Sequence, residues 1–343
     1  MTENDLLQVR DLRVNFALKE GRVLRAVDGV DFTIRPGEVV GLVGESGCGK
    51  TVFSLSLLRL ISPPGYIEGG SVVWRGADLL RLREGEMRRI RGKEISMIFQ
   101  NPQLSLNPVY PIGKQMTAVI SLHRRLSRRE AWDEAVRLLR VVKIPDAERR
   151  IHDYPHQFSG GMCQRIMIAM ALSCRPKLLI ADEPTAALDV TIQAQIMDLL
   201  MEIREQFGMA VLLISHDLGL ISQTCDRIAV MYLGRIVESA SARELIETPM
   251  HPYTRALLQA VPTVAPYRRR EPLSKIEGDV PSALEIPPGC RFRPRCPSAF
   301  EACPHHDPTL RPVSESQHFA ACLLHQTLPG EEREAESWAE VKA

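Results

Sequence analysis

Hydrophobic and polar positions alternate along the first part of the chain. Apolar side chains at positions 7, 9, 12, 14 and 16 are separated by polar ones, and residues 30–34 repeat the pattern. This period of two predicts half-buried antiparallel strands. Residues 39–43 form a continuous apolar run, which is typical of a parallel strand that is buried on both faces.

Further along, predicted strands and helices alternate. A glycine-rich loop and a helix over about residues 50–60 follow the first apolar run, and a helix over about residues 191–207 separates two more runs at 178–181 and 210–215. This alternation predicts a parallel sheet with helices on both faces. The charged stretch from about residue 111 to 151 has apolar residues at helical spacing and predicts a helical insert.

The chain changes character after Leu258. It becomes rich in proline and arginine, and half of its 8 cysteines lie between Cys290 and Cys322. We therefore predict one large domain over residues 1–260 and a separate C-terminal unit over residues 261–328. Residues 329–343 are polar and rich in glutamate, which predicts a disordered tail.

Composition and charge indicate the cellular location of the protein, but they say little about the chemistry that it performs. The 343 residues carry a formal net charge of +1, so the overall charge favours neither nucleic acid nor anionic lipid as a partner. No apolar run reaches the roughly 18 residues of a membrane span, and the polar N-terminus lacks the pattern of a signal peptide. We expect a cytoplasmic protein whose cysteines are reduced rather than joined as disulfides.

One motif predicts phosphate binding. Residues 44–51, Gly-Glu-Ser-Gly-Cys-Gly-Lys-Thr, fit the pattern G-x-x-x-x-G-K-[ST] and lie between an apolar strand and a helix, which favours a phosphate-binding loop over a chance turn. The glycines let successive N–H groups turn toward one anion, and the helix N-terminus points at the same place. Lys50 is predicted to reach the β- and γ-phosphates of ATP, and the Thr51 hydroxyl to bind Mg²⁺. The nucleotide-binding residues predicted in this loop are Gly44, Ser46, Gly47, Cys48, Gly49, Lys50 and Thr51.

Two carboxylates follow the apolar run at 178–181. Residues at the carboxyl edge of a parallel sheet face the ligand crevice, so Asp182 is predicted to hold Mg²⁺ and Glu183 to act as general base for the attacking water. With the phosphate loop, they predict an α/β P-loop NTPase. Its expected parts are a RecA-like core, an antiparallel β subdomain, a helical insert over about residues 101–165 and a small cysteine-rich C-terminal extension.

A third motif narrows the class of NTPase. Residues 158–165, Phe-Ser-Gly-Gly-Met-Cys-Gln-Arg, precede an apolar helix and resemble the signature motif of ABC ATPases, usually written LSGGQ. The resemblance implies that Ser159, Gly160 and Gly161 contact the γ-phosphate held by a second cassette, so that ATP joins two subunits face to face. Met162 and Cys163 depart from the usual residues, and Cys163 removes a cation expected beside that phosphate.

The remaining ABC motifs occur in the expected order. Gln100 resembles the Q-loop glutamine, which is implied to sense Mg²⁺ and the γ-phosphate, and His216 resembles the switch histidine. Asp189 lies in a segment that resembles the D-loop, and Phe16 is placed by position as the aromatic residue that stacks on adenine.

The resemblance to ABC ATPases covers about residues 5–260. It favours a transporter subunit over DNA-repair or ribosome-acting ABC proteins, which carry long coiled coils or two cassettes, and over a small-molecule kinase, which would lack the signature motif.

Longer segments are similar to the ATPases of dipeptide, oligopeptide and nickel importers. These segments are residues 105–108, 159–172, 175–185, 189–197, 251–254 and 288–297. The similarity is to the first of the two non-identical ATPase subunits, and it implies a complex with a second, related ABC ATPase, two transmembrane permeases and a periplasmic or lipid-anchored substrate-binding protein at the inner membrane, without nucleic acid. Peptides are the expected cargo, with nickel, haem and glycosides as alternatives, and a homodimer of cassettes is the alternative to a heterodimer.

Four C-terminal cysteines are spaced C-x5-C-x6-C-x18-C, which differs from the C-x2-C pairs of zinc ribbons. They are Cys290, Cys296, Cys303 and Cys322. Four thiolates can hold a [4Fe–4S] cluster, and the family resemblance implies such a cluster away from ATP, structural or redox-sensing. Zinc, with His325 in place of one thiolate, and four buried thiols without metal are the alternatives.

Overall fold

The computed structural model describes residues 5–186, 188–260, 276–314 and 317–326, which form two sheets with surrounding helices. The strands are β1 (Leu7–Ala17), β2 (Val23–Ile34), β3 (Val39–Val43), β4 (Gly65–Trp74), β5 (Ala77–Asp78), β6 (Ile95–Ile98), β7 (Leu178–Asp182), β8 (Ala210–Ser215), β9 (Arg227–Tyr232), β10 (Arg235–Ser241), β11 (Arg311–Pro312) and β12 (Phe319–Ala320). The α-helices are α1 (Lys50–Leu57), α2 (Glu84–Ile90), α3 (Pro102–Ser105), α4 (Ile112–His123), α5 (Arg128–Val141), α6 (Ala147–Arg150), α7 (Gly160–Leu172), α8 (Val190–Phe207), α9 (Leu218–Thr224), α10 (Ala242–Glu247) and α11 (Pro252–Gln259).

The larger sheet has the order β11-β12-β10-β9-β3-β8-β7-β6, and its five strands from β9 to β6 are parallel. Both of its faces are buried. In β3, Val39 and Val43 belong to one apolar core and Val40 and Leu42 to the other. A strand that alternates between two cores must be apolar at every position, which explains the continuous run in the sequence. The predicted parallel sheet is confirmed.

The smaller sheet is antiparallel, with the order β2-β1-β4-β5. The inward side chains of β1, at positions 7, 9, 12 and 14, are fully buried. They share one core with β3 and α1, and the rings of Phe32 and Phe53 meet edge to face with centroids 5.3 Å apart. The predicted antiparallel subdomain is therefore present and is packed over the phosphate-loop helix.

The predicted helical insert is also present, from α3 to α6. Helix α5 begins where Ser127 and Glu130 cap each other: the Ser127 hydroxyl accepts from the Glu130 N–H at 3.3 Å, and the Glu130 carboxylate accepts from the Ser127 N–H at 2.7 Å. The buried face of α5 carries the apolar positions that the helical spacing predicted. Among the described residues, no helix is long and apolar enough to cross a membrane.

The described part of the segment predicted as a separate C-terminal unit packs against the cassette. Strand β12 pairs with β10 and extends the main sheet. Phe292 is buried against Tyr232 and Tyr253, with ring centroids 5.3 Å away from each. The segment therefore adds to the core of the cassette instead of forming its own. The predicted tail at 329–343, and the domain boundary at 260, fall on or beside residues outside the described ranges.

A buried carboxylate joins this extension to the sheet. Glu238 of β10 is fully buried and accepts hydrogen bonds from the backbone N–H groups of Met250 and His251, at 2.7 and 3.0 Å. His318, just before β12, lies 2.7 Å from the same carboxylate. Burial by itself would raise the pKa of Glu238, but these hydrogen bonds hold the pKa below its ordinary value. The ionised carboxylate therefore stabilises the fold above its unfolded pKa, and this contribution is lost as the pH falls through the folded pKa.

We predict that His318→Ala lowers the free energy of unfolding at pH 7 by about 2–4 kcal/mol, because the substitution leaves part of a buried carboxylate unpaired. Urea unfolding followed by circular dichroism measures the loss. His305→Ala, at an exposed position of the same extension, is the matched control and should unfold like the wild type. Equal midpoints for the two variants would contradict the docking of the extension through Glu238.

Candidate active site

The phosphate-binding loop connects β3 to α1 and is closely packed. A Cβ atom at Gly44 would lie 2.2 Å from the carbonyl oxygen of Met231, and one at Gly49 would lie 2.3 Å from that of Ala26. Gly47 and Gly49 have φ angles of 79° and 110°, which side chains disfavour. Glycine is therefore required both by the backbone torsions and by the close approach of two other chain segments.

Lys50 begins α1 and is buried. Its Nζ donates to the carbonyl oxygens of Gly44 and Glu45, at 2.7 and 3.0 Å. The ammonium thus lies against the loop formed by the glycines, next to the N-terminus of the helix, where an anion would bind. Cys48 is buried as well, with its Sγ 3.7 Å from Nζ, and it packs as a small side chain under the loop.

Asp182, the last residue of β7, is buried, and its Oδ1 has no hydrogen-bond partner among the described residues. Burial raises the pKa of Asp182, and the nearby charge of Glu183 adds to this, while the Thr51 hydroxyl and the Lys50 ammonium act in the opposite direction. A buried oxygen without a partner, close to a threonine hydroxyl, is the environment that a divalent cation would complete. Thr51 and Asp182, two of the three residues predicted to hold Mg²⁺, therefore lie together, and their oxygens fit the ion.

Three predicted catalytic residues also meet. Gln100 Nε2 donates to Glu183 Oε2 at 2.6 Å, and His216 Nδ1 lies 3.3 Å from Glu183 Oε1. Glu183 has a φ of 46°, an uncommon torsion for a residue with a side chain and one that is found preferentially at functional sites. The structure thus gathers, around one carboxylate, side chains that the sequence places far apart.

A cavity of ≈ 270 Å³ lies between the small sheet and the phosphate loop. Phe16, the predicted adenine-stacking residue, forms part of its wall, and Gln100 and Glu183 lie at the same cavity. The predicted loop residues that line it are Ser46, Gly47, Gly49, Lys50 and Thr51. Its other lining residues were not predicted, and one of them, Ala283, comes from the C-terminal extension.

The residues of the signature-like motif, 158–165, do not line this cavity. Ser159 caps α7, and its Oγ accepts from the Met162 N–H at 3.4 Å, while Gly160 and Gly161 form the first turn. None of them is among the residues that line the cavity. Asp189 caps α8 in the same way, accepting from the Ile192 N–H at 3.0 Å, and it does not line the cavity either. These helix N-termini are therefore free to serve a site other than the one formed by the same chain's phosphate loop.

Met162 and Cys163, which depart from the usual signature motif, differ in how far they are buried. Cys163 is buried, with its Sγ donating to the Pro155 carbonyl at 3.5 Å, so the thiol faces the core and not the start of α7. Met162 is partly exposed, and the Arg150 guanidinium lies 3.4 Å from its Sδ. A cation is therefore present beside the motif in spite of the substitution at Cys163.

Comparison with known proteins identifies the family to which this arrangement of motifs belongs. One family model, ABC transporter, matches residues 27–186, and another, Oligopeptide/dipeptide transporter, C-terminal region, matches residues 237–303. The chain is 50% identical to a probable peptide ABC transporter ATP-binding protein of Sinorhizobium fredii over 92% of this chain and 94% of that protein. It is also 50% identical to the oligopeptide transport ATP-binding protein OppD of Salmonella typhimurium, over 93% of this chain and 94% of that protein. The chain belongs to the ABC transporter ATP-binding proteins of the oligopeptide/dipeptide type.

The fold of this ABC subunit is that of a solved cassette. The dimeric ATP-binding cassette MJ0796, in a post-hydrolysis state bound to ADP and Pi, is similar with a TM-score of 0.62 at 26% identity, covering 69% of this chain and 99% of that one. The ABC ATPase cassette fold with its antiparallel β subdomain, as predicted from the sequence, is thereby confirmed.

In this ABC subunit the C-terminal extension reaches the phosphate loop, which the sequence analysis did not foresee. The Arg295 guanidinium forms two hydrogen bonds with the Glu45 carboxylate, at 2.7 and 3.0 Å. Tyr253 Oη accepts from the Glu45 N–H at 2.9 Å. Arg291 donates to the Leu233 carbonyl, at another wall of the same cavity. No local sequence pattern could have revealed these contacts, because each joins positions far apart in the chain.

The four C-terminal cysteines line one small cavity of ≈ 10 Å³, together with apolar side chains that include Phe292 and Phe300. In the described part of the chain, however, no group of three or more His, Cys, Asp or Glu side chains is arranged to hold a metal ion. His325 is not among the lining residues, and its Nε2 lies 3.1 Å from the Met250 carbonyl. Burial raises the pKa of Cys322 to about 12, so the thiol is protonated at neutral pH unless a nearby cation stabilises the thiolate.

Proposed function

We propose that this ABC subunit binds and hydrolyses ATP to drive the import of peptides by a membrane transporter. The observation that carries the proposal is the contact of Glu183 with both Gln100 and His216, at the edge of the cavity that the phosphate loop lines. A carboxylate that is held from two sides beside a phosphate site is what a general base for water attack requires.

The phosphate loop binds the triphosphate. Its N–H groups and the N-terminus of α1 face the phosphates, and Lys50 exchanges its carbonyl partners for the β- and γ-phosphate oxygens. Thr51 and Asp182 would hold Mg²⁺, with Gln100 alongside, and the ion would neutralise charge on the phosphates. The buried oxygen of Asp182 without a hydrogen-bond partner supports this assignment. Phe16 stacks on the adenine ring.

Glu183 activates the attacking water. As the water oxygen attacks the γ-phosphorus, its proton passes to the Glu183 carboxylate, and the bond to the bridging oxygen of ADP breaks. Gln100, which donates to Oε2 at 2.6 Å, fixes the orientation of the carboxylate. The His216 side chain is 67% exposed, so its ring is free to turn toward the γ-phosphate when ATP is bound.

A complete site requires two cassettes. Ser159, Gly160 and Gly161, with Asp189 nearby, would contact the γ-phosphate held by a second subunit. Their absence from the cavity of their own chain supports this, as does the dimeric cassette similar to this one. The second subunit is a related ABC ATPase, with a second copy of this chain as the alternative.

Peptides are the proposed cargo, because several relatives are named as oligopeptide transport proteins. The subunit would lie on the cytoplasmic face of the inner membrane, beneath two permeases that receive peptide from a substrate-binding protein. Phe99, Val109 and Tyr110 are large apolar residues that are exposed at the start of the helical insert. We assign the permease contact to this part of the insert, since exposed large apolar side chains mark protein interfaces.

The four cysteines are proposed to hold a [4Fe–4S] cluster, with zinc as the alternative. The gathering of all four thiols around one apolar cavity supports a shared ligand, and four thiolates are the donor set of such a cluster. The cavity would have to open for the thiols to reach ligating positions. When bound, the cluster would crosslink a segment with little regular secondary structure.

We predict that Glu183→Gln keeps the affinity for Mg-ATP within about threefold and lowers ATP turnover by about 10²–10⁴-fold, because the amide preserves the shape but cannot accept the proton. Phosphate release by the assembled transporter measures turnover, and isothermal titration measures binding. Glu247→Gln, at an exposed carboxylate of α10, is the matched control. Wild-type turnover in the Glu183→Gln transporter would contradict the proposed base.

We predict that protein purified without oxygen contains about four iron and four sulfide ions per chain, with broad absorption near roughly 400 nm. Cys296→Ser should lose the iron and the absorption, while Cys174→Ser, at a half-buried cysteine outside the cavity, should keep both. One equivalent of zinc without iron would replace the cluster with a zinc site. Protein free of any metal would leave four buried thiols and contradict the proposal.

A further inference from the structure

The phosphate loop carries a carboxylate of its own. Glu45, the second residue of the motif, faces the Arg295 guanidinium in a two-point ion pair, with Nη1–Oε2 and Nη2–Oε1 distances of 2.7 and 3.0 Å. The Arg295 side chain is 3% exposed and that of Glu45 is 26% exposed. A planar, largely buried guanidinium–carboxylate pair is the strongest form of this interaction, since two parallel hydrogen bonds fix both groups.

Arg295 and Glu45 each form a further hydrogen bond with another residue. Arg295 Nε donates to the Glu277 carbonyl at 3.2 Å, which anchors the guanidinium to another segment of the extension. The backbone N–H of Glu45 donates to Tyr253 Oη at 2.9 Å. The carboxylate and the backbone of one loop residue are therefore both bound by residues that follow the ATPase motifs in the chain.

The negative charge of Glu45 would weaken ATP binding if no cation neutralised it. The Glu45 carbonyl accepts from Lys50 Nζ at 3.0 Å, so the residue directly adjoins the cation that faces the phosphates. Asp182 and Glu183 add two further carboxylates at the same edge of the sheet. The triphosphate would bring further negative charge to this edge, and an unpaired Glu45 carboxylate would repel it. The repulsion is strong because charges interact strongly where water is partly excluded.

We propose that Arg295 is a positioning residue for ATP that acts from the C-terminal extension: it neutralises the Glu45 carboxylate, so that the triphosphate meets the phosphate loop without an unpaired negative charge beside it. The inference rests on the proposed nucleotide site and goes beyond it, because it gives the extension a direct part in ATP affinity. Arg295 itself does not line the cavity and acts only through Glu45.

A set of substitutions separates charge neutralisation from a merely structural role. Mg-ATP affinity is measured by isothermal titration on the full chain carrying Arg295→Ala, Arg295→Lys, Glu45→Gln, or Arg295→Ala with Glu45→Gln. Arg293→Ala, at a half-buried arginine two residues away whose Nη1 donates to the Pro288 carbonyl at 2.9 Å, is the matched control. Lys50→Ala tests the nucleotide site itself.

We expect Arg295→Ala to weaken Mg-ATP binding by about tenfold, and less at high salt, where the repulsion is screened. Arg295→Lys should retain most of the affinity, and Arg293→Ala all of it. Adding Glu45→Gln to Arg295→Ala should restore affinity, because the charge that needed neutralising is gone. A loss of packing alone would leave the double variant as weak as Arg295→Ala or weaker.

Wild-type affinity in Arg295→Ala, or no recovery in the double variant, would overturn the proposal. If Arg295→Ala does not fold, Glu45→Gln alone decides: freeing the Arg295 cation should tighten Mg-ATP binding, and weaker binding would overturn the proposal. Undiminished affinity in Lys50→Ala would instead contradict the proposed nucleotide site, so the two failures are distinguishable.

Discussion

The site has to receive a triphosphate at a sheet edge that already carries several carboxylates. Glu45, Asp182 and Glu183 all lie there, and their surroundings differ. Arg295 pairs with Glu45, Gln100 donates to Glu183, and Asp182 has one buried oxygen that finds no hydrogen-bond partner within the described ranges. The first two contacts remove or orient negative charge before ATP binds. The third leaves an oxygen whose partner would be the metal ion that accompanies ATP.

The architecture explains why these groups converge. Strands β3 and β7 lie on either side of β8 in the parallel sheet, so the loops that follow their carboxyl ends share one edge. Both faces of the sheet are buried under apolar cores, which leaves that edge as the place where polar groups reach solvent. The C-terminal extension then packs beside the same edge through Phe292 and fixes the loop from outside.

The sequence predicted the parts of the molecule whose signals are local. The phosphate loop between β3 and α1, the carboxylates after the apolar run at 178–181, the helix after Ser159 and the apolar face of α5 each follow from a few neighbouring residues, and the structure has a strand or a helix at these positions. The pairing of the extension with the main sheet could not be predicted, because strand β12 is two residues long and has no periodicity to detect. Likewise, the pair of Arg295 and Glu45 joins positions 250 residues apart, and an ion pair leaves no pattern in a single sequence.

The central claim is that Asp182 and the phosphate loop form one site for a metal–nucleotide complex. Electron paramagnetic resonance of Mn²⁺, used in place of Mg²⁺, measures this directly, because bound and free Mn²⁺ have different spectra. We predict that the wild-type chain binds one Mn²⁺ per chain tightly only when ATP is present, and that Asp182→Asn weakens this binding by at least about tenfold, since the amide lacks the charge that the cation needs. Tight Mn²⁺ binding without nucleotide, or equal binding by wild type and Asp182→Asn with ATP, would contradict the account.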